Sequence, residues 1–183
     1  SDFFFEGIRF RGLLSIQGYT ISSVQVEFCR LDSAFQSYIQ PGIRVTLRDC
    51  LIYGAPNVSG GIVEFSRNTV LGGGLTMYID GGGSVLNNTI VGPAAIGLTS
   101  AGADAPLLVW GNSIRNVVDG MVLNQRDLLA YDNLVEDCSG NGYVSGSDPD
   151  AGLLSGTFRL NRARRCGGHG FDLGRGAEVF LED

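Results

Sequence analysis

The chain reads as an all-β protein, a single parallel β-helix solenoid of about eight turns with three short strands in each, spanning 1–183. Three observations predict this. Five asparagines, Asn68, Asn88, Asn112, Asn133 and Asn161, recur in one local phrase, with an apolar residue three before and another two after. Extending the frame backwards puts Cys50, Cys29 and Ile8 in the same slot, at successive intervals of 21, 21, 18, 20, 24, 21 and 28 residues. Self-similarity at a fixed short period marks a stacked-repeat architecture. Finally, the periodicity inside each repeat is two, with glycines as punctuation, and no stretch supports an amphipathic helix.

One turn shows how the elements follow from the residues. Val109-Trp110-Gly111-Asn112-Ser113-Ile114 reads as strand, bend, strand. A third strand follows in each repeat, marked by glycine and alternating apolar residues: Ile96-Gly97-Leu98, Gly120-Met121-Val122-Leu123, Gly142-Tyr143-Val144 and Gly170-Phe171-Asp172-Leu173. The bend between the first two strands calls for a left-handed backbone, which asparagine tolerates better than most residues. An asparagine amide can also bond its equivalent one turn along, so a buried column of them satisfies itself. This mechanical account takes precedence over a catalytic one for these five residues.

Composition narrows the function classes. The 183 residues carry a net charge of −6, and all 13 basic residues are arginine. Lysine Schiff-base chemistry is excluded, and the acidic balance argues against nucleic acid, which requires a basic stripe. No apolar run is long enough to span a bilayer. Ser1 opens almost directly into Phe3-Phe4-Phe5, with no visible signal peptide, as expected of a mature, processed or excised chain. Cys29 and Cys50 fall at equivalent places in adjacent turns, as do Cys138 and Cys166, each five residues after a ladder asparagine. Stacked strands lie roughly 4.8 Å apart, near the short end of disulfide Cα spacing. The favoured reading is a stack of buried thiols, with a bridge as the alternative; the redox compartment stays open.

The phrases Asn88-Thr89-Ile90 … Ile96-Gly97-Leu98 and Asn112-Ser113-Ile114 … Gly120-Met121-Val122-Leu123 resemble the repeats of right-handed parallel β-helix proteins, the pectin-lyase-like superfamily. Phe5-Glu6-Gly7-Ile8-Arg9-Phe10 is similar to an early turn of such a helix. The resemblance implies a right-handed solenoid outside the cytoplasm. It offers polysaccharide lyases, glycoside hydrolases and uronan epimerases acting on acidic glycans as one functional class, and non-enzymatic surface proteins as the other. The repeated residues are scaffold residues, so they carry the fold and not the activity. The aspartate groupings of polygalacturonase-like sites and the calcium and lysine cluster of pectate-lyase-like sites have no counterpart here.

Five constellations remain. Trp110 and Tyr131 share the slot two before the asparagine, with Leu86 preceding them. Facing outward, they form a platform for a sugar ring with Arg115 for a carboxylate; facing inward or under a loop, they are core, and core or loop cover is the favoured reading. Arg164, Arg165, His169 and Asp172 on one late turn are the candidates for acid–base chemistry. The competing reading pairs the arginines with acids on neighbouring turns and leaves His169 a polar turn residue. Arg115, Glu136 and Arg164 fall in one slot, Asp137 and Arg165 in the next, Glu27 and Arg48 in a third, Asp49 and Arg67 in a fourth, all as ion-pair ladders. Asp148 and Asp150, in the longest interval, could contribute to a calcium site, and Asp104 lies in an earlier insertion. Finally, the strand-like, apolar Phe3-Phe4-Phe5 and Val179-Phe180-Leu181 suggest further β-helix turns or end-to-end association with a partner. The expected function is an extracytoplasmic scaffold or carbohydrate-recognition module without catalysis; the alternative is a polysaccharide-active enzyme.

Overall fold

In the computed structural model, the described residues are 2–18, 20–39, 42–101, 105–125, 127–145, 155–173 and 178–182. They form strands and bends only, arranged in three parallel sheets of nine, eight and eight strands. Each sheet takes every third strand of the chain, so the backbone winds through sheet 1, sheet 2 and sheet 3 and returns one strand further on. The central turn runs Leu107–Trp110 in sheet 1, Ser113–Arg115 in sheet 2 and Asp119–Asn124 in sheet 3. The strand–bend–strand reading of residues 109–114 and the glycine-marked third strands are both present.

Register places like over like. In sheet 1, Val26, Leu47, Phe65, Val85, Val109, Ala130 and Phe158 stack in one inward column. Leu31, Ile52, Val70, Ile90, Ile114 and Val135 do the same in sheet 2. These columns are fully or almost fully buried. Alternation along each strand therefore sends every second side chain inward, and the stacked turns bury one continuous apolar column. At the edge of sheet 1, the strand Asp2–Glu6 pairs with Ser23–Glu27, and Phe3 and Phe4 are exposed.

The asparagines stack as expected. The Asn68 side-chain amide donates to Asn88 Oδ1 at 3.2 Å, Asn88 to Asn112 at 2.9 Å, Asn112 to Asn133 at 2.9 Å and Asn133 to Asn161 at 2.8 Å. Each acceptor oxygen also takes the backbone N–H of the preceding asparagine, at 2.8–3.0 Å. Each Nδ2 gives a further bond to the carbonyl three residues before the previous slot, as Asn112 does to Val85. The explanation through backbone handedness needs correction. The left-handed residue is the one before the ladder: Phe28, Asp49, Arg67, Asn87, Asp132 and Leu160 have φ of 50–56°, and Gly111 has 67°. Asparagine is therefore selected at the ladder for its amide and not for its backbone freedom. Gly111 takes the same backbone without side-chain strain, and a Cβ there would displace the exposed Asn87 side chain, whose Oδ1 lies over it.

The cysteines split. Cys29 and Cys50 are buried free thiols, as expected. Cys138 and Cys166 are bonded to each other across adjacent turns, with Cα atoms 4.5 Å apart, so the buried-thiol reading fails for this pair. Cys166 is only half-buried, and the corner after sheet 2 brings its sulfur against that of Cys138 at the margin of the core, where Cys138 itself is buried.

Candidate functional site

Sheet 1 presents its outward side chains in two columns. One contains Leu86, Trp110, Tyr131 and Arg159; the other, two residues earlier on the same strands, contains Glu64, Ser84, Leu108, Leu129 and Thr157. Trp110 is 43% exposed, which overturns the core reading. Its ring lies 6.2 Å from that of Tyr131, tilted by 56°. Leu129 is equally exposed, so the two columns make a continuous apolar surface across these strands. Beside it runs a groove of about 510 Å³, lined by Arg44, Ile62, Glu64, Ser84, Leu108 and Leu129.

The ladder fixes this platform from behind. The Trp110 carbonyl accepts the backbone N–H of Asn87 at 2.8 Å and the side-chain amide of Asn112 at 3.1 Å. The indole thus projects from a strand end whose backbone is bonded to the turn on one side and to the ladder itself. A rigid aromatic side chain held in this way loses little freedom when a ligand stacks on it. The sequence did not single out the groove residues, although period-two alternation already puts Leu108 with Trp110 and Leu129 with Tyr131 on one face. Arg115 belongs to sheet 2, around the bend from Trp110, in register with Val91 and Glu136. Arg44 is the arginine that lines the groove.

Three of the four charge slots hold ion pairs between turns; the slot of Arg115, Glu136 and Arg164 holds none within itself among the described residues. Arg48 meets Glu27 at 2.7 Å, Arg67 meets Asp49 at 2.6 Å, and Arg9 and Arg30 share Asp32 at 2.7 and 2.6 Å. Hydrogen bonds from Arg30 and then Arg9 hold the Asp32 carboxyl below the ordinary carboxylate range.

The acid–base candidates separate into two groups. Arg165 binds Asp137 at 2.5 and 3.0 Å and Glu136 at 3.0 Å. Its hydrogen bonds hold the Asp137 carboxyl low. Arg164 stands in register with Glu136 on sheet 2. His169 is exposed in the following turn, and its backbone N–H donates to Asn141 Oδ1 at 2.8 Å. Asp172 lies on sheet 3 and receives a long 3.5 Å contact from Asn141 Nδ2. Among the described residues no hydrogen bond or ion pair joins His169 or Asp172 to either arginine. Asp104, Asp148 and Asp150 lie outside the described residues. Among the described residues no three His, Cys, Asp or Glu side chains cluster as metal ligands. No described helix is long and apolar enough to cross a membrane.

Comparison with known proteins returns no match: no family model, no curated protein and no solved structure is similar to this chain. The fold and the site therefore rest on the residues themselves, and they define a parallel β-solenoid with an asparagine ladder and an aromatic outer face on sheet 1.

Proposed function

We propose that this β-solenoid is a carbohydrate-recognition module of the pectin-lyase-like type, working outside the cytoplasm and binding a glycan on the outer face of sheet 1 without chemical turnover. The observation that carries the reading is the exposed Trp110–Tyr131 pair beside the groove lined by Leu108 and Leu129. A pyranose ring has an apolar C–H face and a hydroxylated rim. Aromatic side chains bury such a face well, and the polar groups at the rim fix its orientation. Arg44 and Glu64 in the groove supply a donor and an acceptor, and Arg44, in place of the expected Arg115 on sheet 2, is the cation for a sugar carboxylate. The Cys138–Cys166 bond supports an oxidising compartment.

Two features favour binding over catalysis. Arg165 is committed to Asp137 and Glu136, and the Arg164–Arg165 pair is not bonded to His169 or Asp172. A catalytic base must reach its reacting group and be poised by a neighbour, and this grouping provides neither.

Trp110 is the single tryptophan, so its fluorescence reports this face alone. Titration with soluble neutral and acidic polysaccharides is expected to shift or quench its emission, and Trp110→Ala is expected to weaken binding at least tenfold. A silent indole across the panel, with binding unchanged in Trp110→Ala, would remove sheet 1 as the site. Release of reducing ends or unsaturated products would replace the binding reading with the enzymatic one.

A further inference from the structure

Sheet 3 carries a second aromatic arrangement, of different geometry. Its outward columns are Gln17, Tyr38, Ser59, Tyr78, Ala101 and, two residues earlier on the strands, Gln36, Asn57, Thr76, Thr99. Tyr38 and Tyr78 are each 51% exposed and both stand in register with Ser59, one on either side. The two tyrosines are therefore separated by two strand spacings, or about 9.6 Å, with only a serine between them. A ring placed midway lies about 4.8 Å from each tyrosine, inside the roughly 4.5–7 Å range of stacked rings. Two tyrosines on adjacent turns would stack on each other and close the gap; one strand further apart, they leave room for one guest ring.

The floor and walls are polar. Asn57 lies two residues from Ser59 on the same strand face, flanked by Gln36 and Thr76 in register. Its Oδ1 is buried and has no hydrogen-bond partner among the described residues. Such an orphan acceptor has no exposed surface of its own, so a ligand hydroxyl reaches it only when the side chain turns toward the gap. A groove of about 390 Å³, lined in part by Gly73, Thr76, Pro93 and Thr99, opens along the same face from the other side of Thr76. Neither outward column holds a lysine or arginine among the described residues, so nothing there would meet a phosphate or carboxylate.

We infer that Tyr38, Ser59 and Tyr78 form a clamp for one neutral pyranose ring, a glycan subsite on a different face from Trp110. The tyrosines cover the two faces of the sugar, and Ser59 leaves the gap open. Gln36, Asn57 and Thr76 meet the hydroxyl rim. The clamp rests on the carbohydrate-binding reading only for its ligand class. With both faces active, one molecule binds two glycan segments.

The test uses the full chain and neutral cello-, xylo- and manno-oligosaccharides, followed by titration calorimetry and Trp110 fluorescence. Trp110→Ala protein, which has lost the sheet 1 site, is expected to retain a calorimetric binding event, and in the wild type this event adds to the sheet 1 event that the indole reports. Adding Tyr38→Ala and Tyr78→Ala is expected to weaken that event at least tenfold, while Tyr38→Phe with Tyr78→Phe keeps it within threefold. Ser59→Trp fills the gap and is expected to abolish the event without lowering Tm, which separates a blocked site from a damaged fold. Unchanged binding in Ser59→Trp, or no neutral-sugar event in Trp110→Ala, would overturn the clamp. An indole that stays silent while the calorimetric event persists would instead remove the sheet 1 reading and leave the clamp standing.

Discussion

The first turns and the central turns fill the same corner slot with different chemistry. Cys29 and Cys50 occupy it early; Asn68 to Asn161 occupy it afterwards. Both side chains serve the carbonyl three residues before the previous slot. The Cys50 thiol shares its one proton between the Arg48 carbonyl at 3.2 Å and the Val26 carbonyl at 3.4 Å, the latter equivalent to the Leu47 carbonyl that the Asn68 amide meets at 2.9 Å. A thiol has one weak donor and a weak acceptor, whereas a carboxamide has two donors and a strong acceptor. The thiol reproduces the inward donor bond only. The amide adds the turn-to-turn bond and accepts the neighbouring backbone N–H. Where it is buried the slot therefore takes a small donor, whereas the exposed Ile8 fills it without one, and cooperativity along the axis is an addition that asparagine alone brings.

The largest effect should come from breaking the ladder at its centre. Asn112→Leu strands both donors of Asn88 that end on Asn112 Oδ1, and each buried unsatisfied group costs roughly 1–3 kcal/mol. A loss of about 3 kcal/mol or more is expected in urea unfolding, and an unchanged midpoint would deny the ladder its structural role. Next comes the second cysteine pair. Cys138→Ser with Cys166→Ser opens a cross-link spanning 28 residues. Loop-closure entropy gives about 3.5 kcal/mol for a loop of this size, whereas Cys29→Ser should lose far less. Equal losses at the two positions would erase the distinction between the pairs.

The comparison is sharpened by extending the ladder. Cys50→Asn places a second amide beside Asn68 and supplies a donor toward its Oδ1. Its expected gain is about 1 kcal/mol, the net worth of one buried hydrogen bond. A loss would mean that the corner is too tight for a carboxamide.

A pH-dependent effect of similar size follows from the thiols. Burial pushes the Cys50 thiol up to about 12. The folded state then holds its proton more tightly than the unfolded chain, whose thiol titrates near ~8.5. That contribution is complete below the unfolded value and is lost as pH rises toward the folded one. Between pH 8 and 10 the wild type should lose about 1–2 kcal/mol relative to Cys50→Val, measured as urea midpoints. Parallel curves would show that the thiol is not desolvated. The smallest effect belongs to the surface pairs. Arg165→Ala removes exposed contacts to Asp137 and Glu136 and should leave Tm almost unchanged, since solvent screens such pairs. A large drop in Tm would give these ladders a weight that their exposure denies them.

Much of this was legible from residue order. The recurrence of asparagine with apolar flanks predicts both the turn and the inward columns, because stacking repeats one environment every turn and so demands one residue type there. The same frame pairs Arg67 with Asp49 and Arg165 with Asp137. The identity of the left-handed residue was not legible, because Phe28, Arg67, Asp132 and Leu160 have nothing in common as residues. They adopt that backbone because the amides on either side are already held by neighbouring turns.

What the sequence by itself determined is the solenoid, its ladder and which side chains share a column. Local alternation and a fixed period are properties of the chain alone. What only the tertiary structure decided is how those columns meet their surroundings. Register alone aligns Trp110 over Tyr131 on either face, and only the solid structure shows the indole open to solvent. It likewise takes the stacked turns to bring Cys138 into bonding position with Cys166 while Cys29 and Cys50 stay thiols, and to set Tyr38 and Tyr78 on either side of Ser59. The physical reason is range: a repeat fixes what recurs every turn, but exposure, groove and gap depend on atoms from several turns at once.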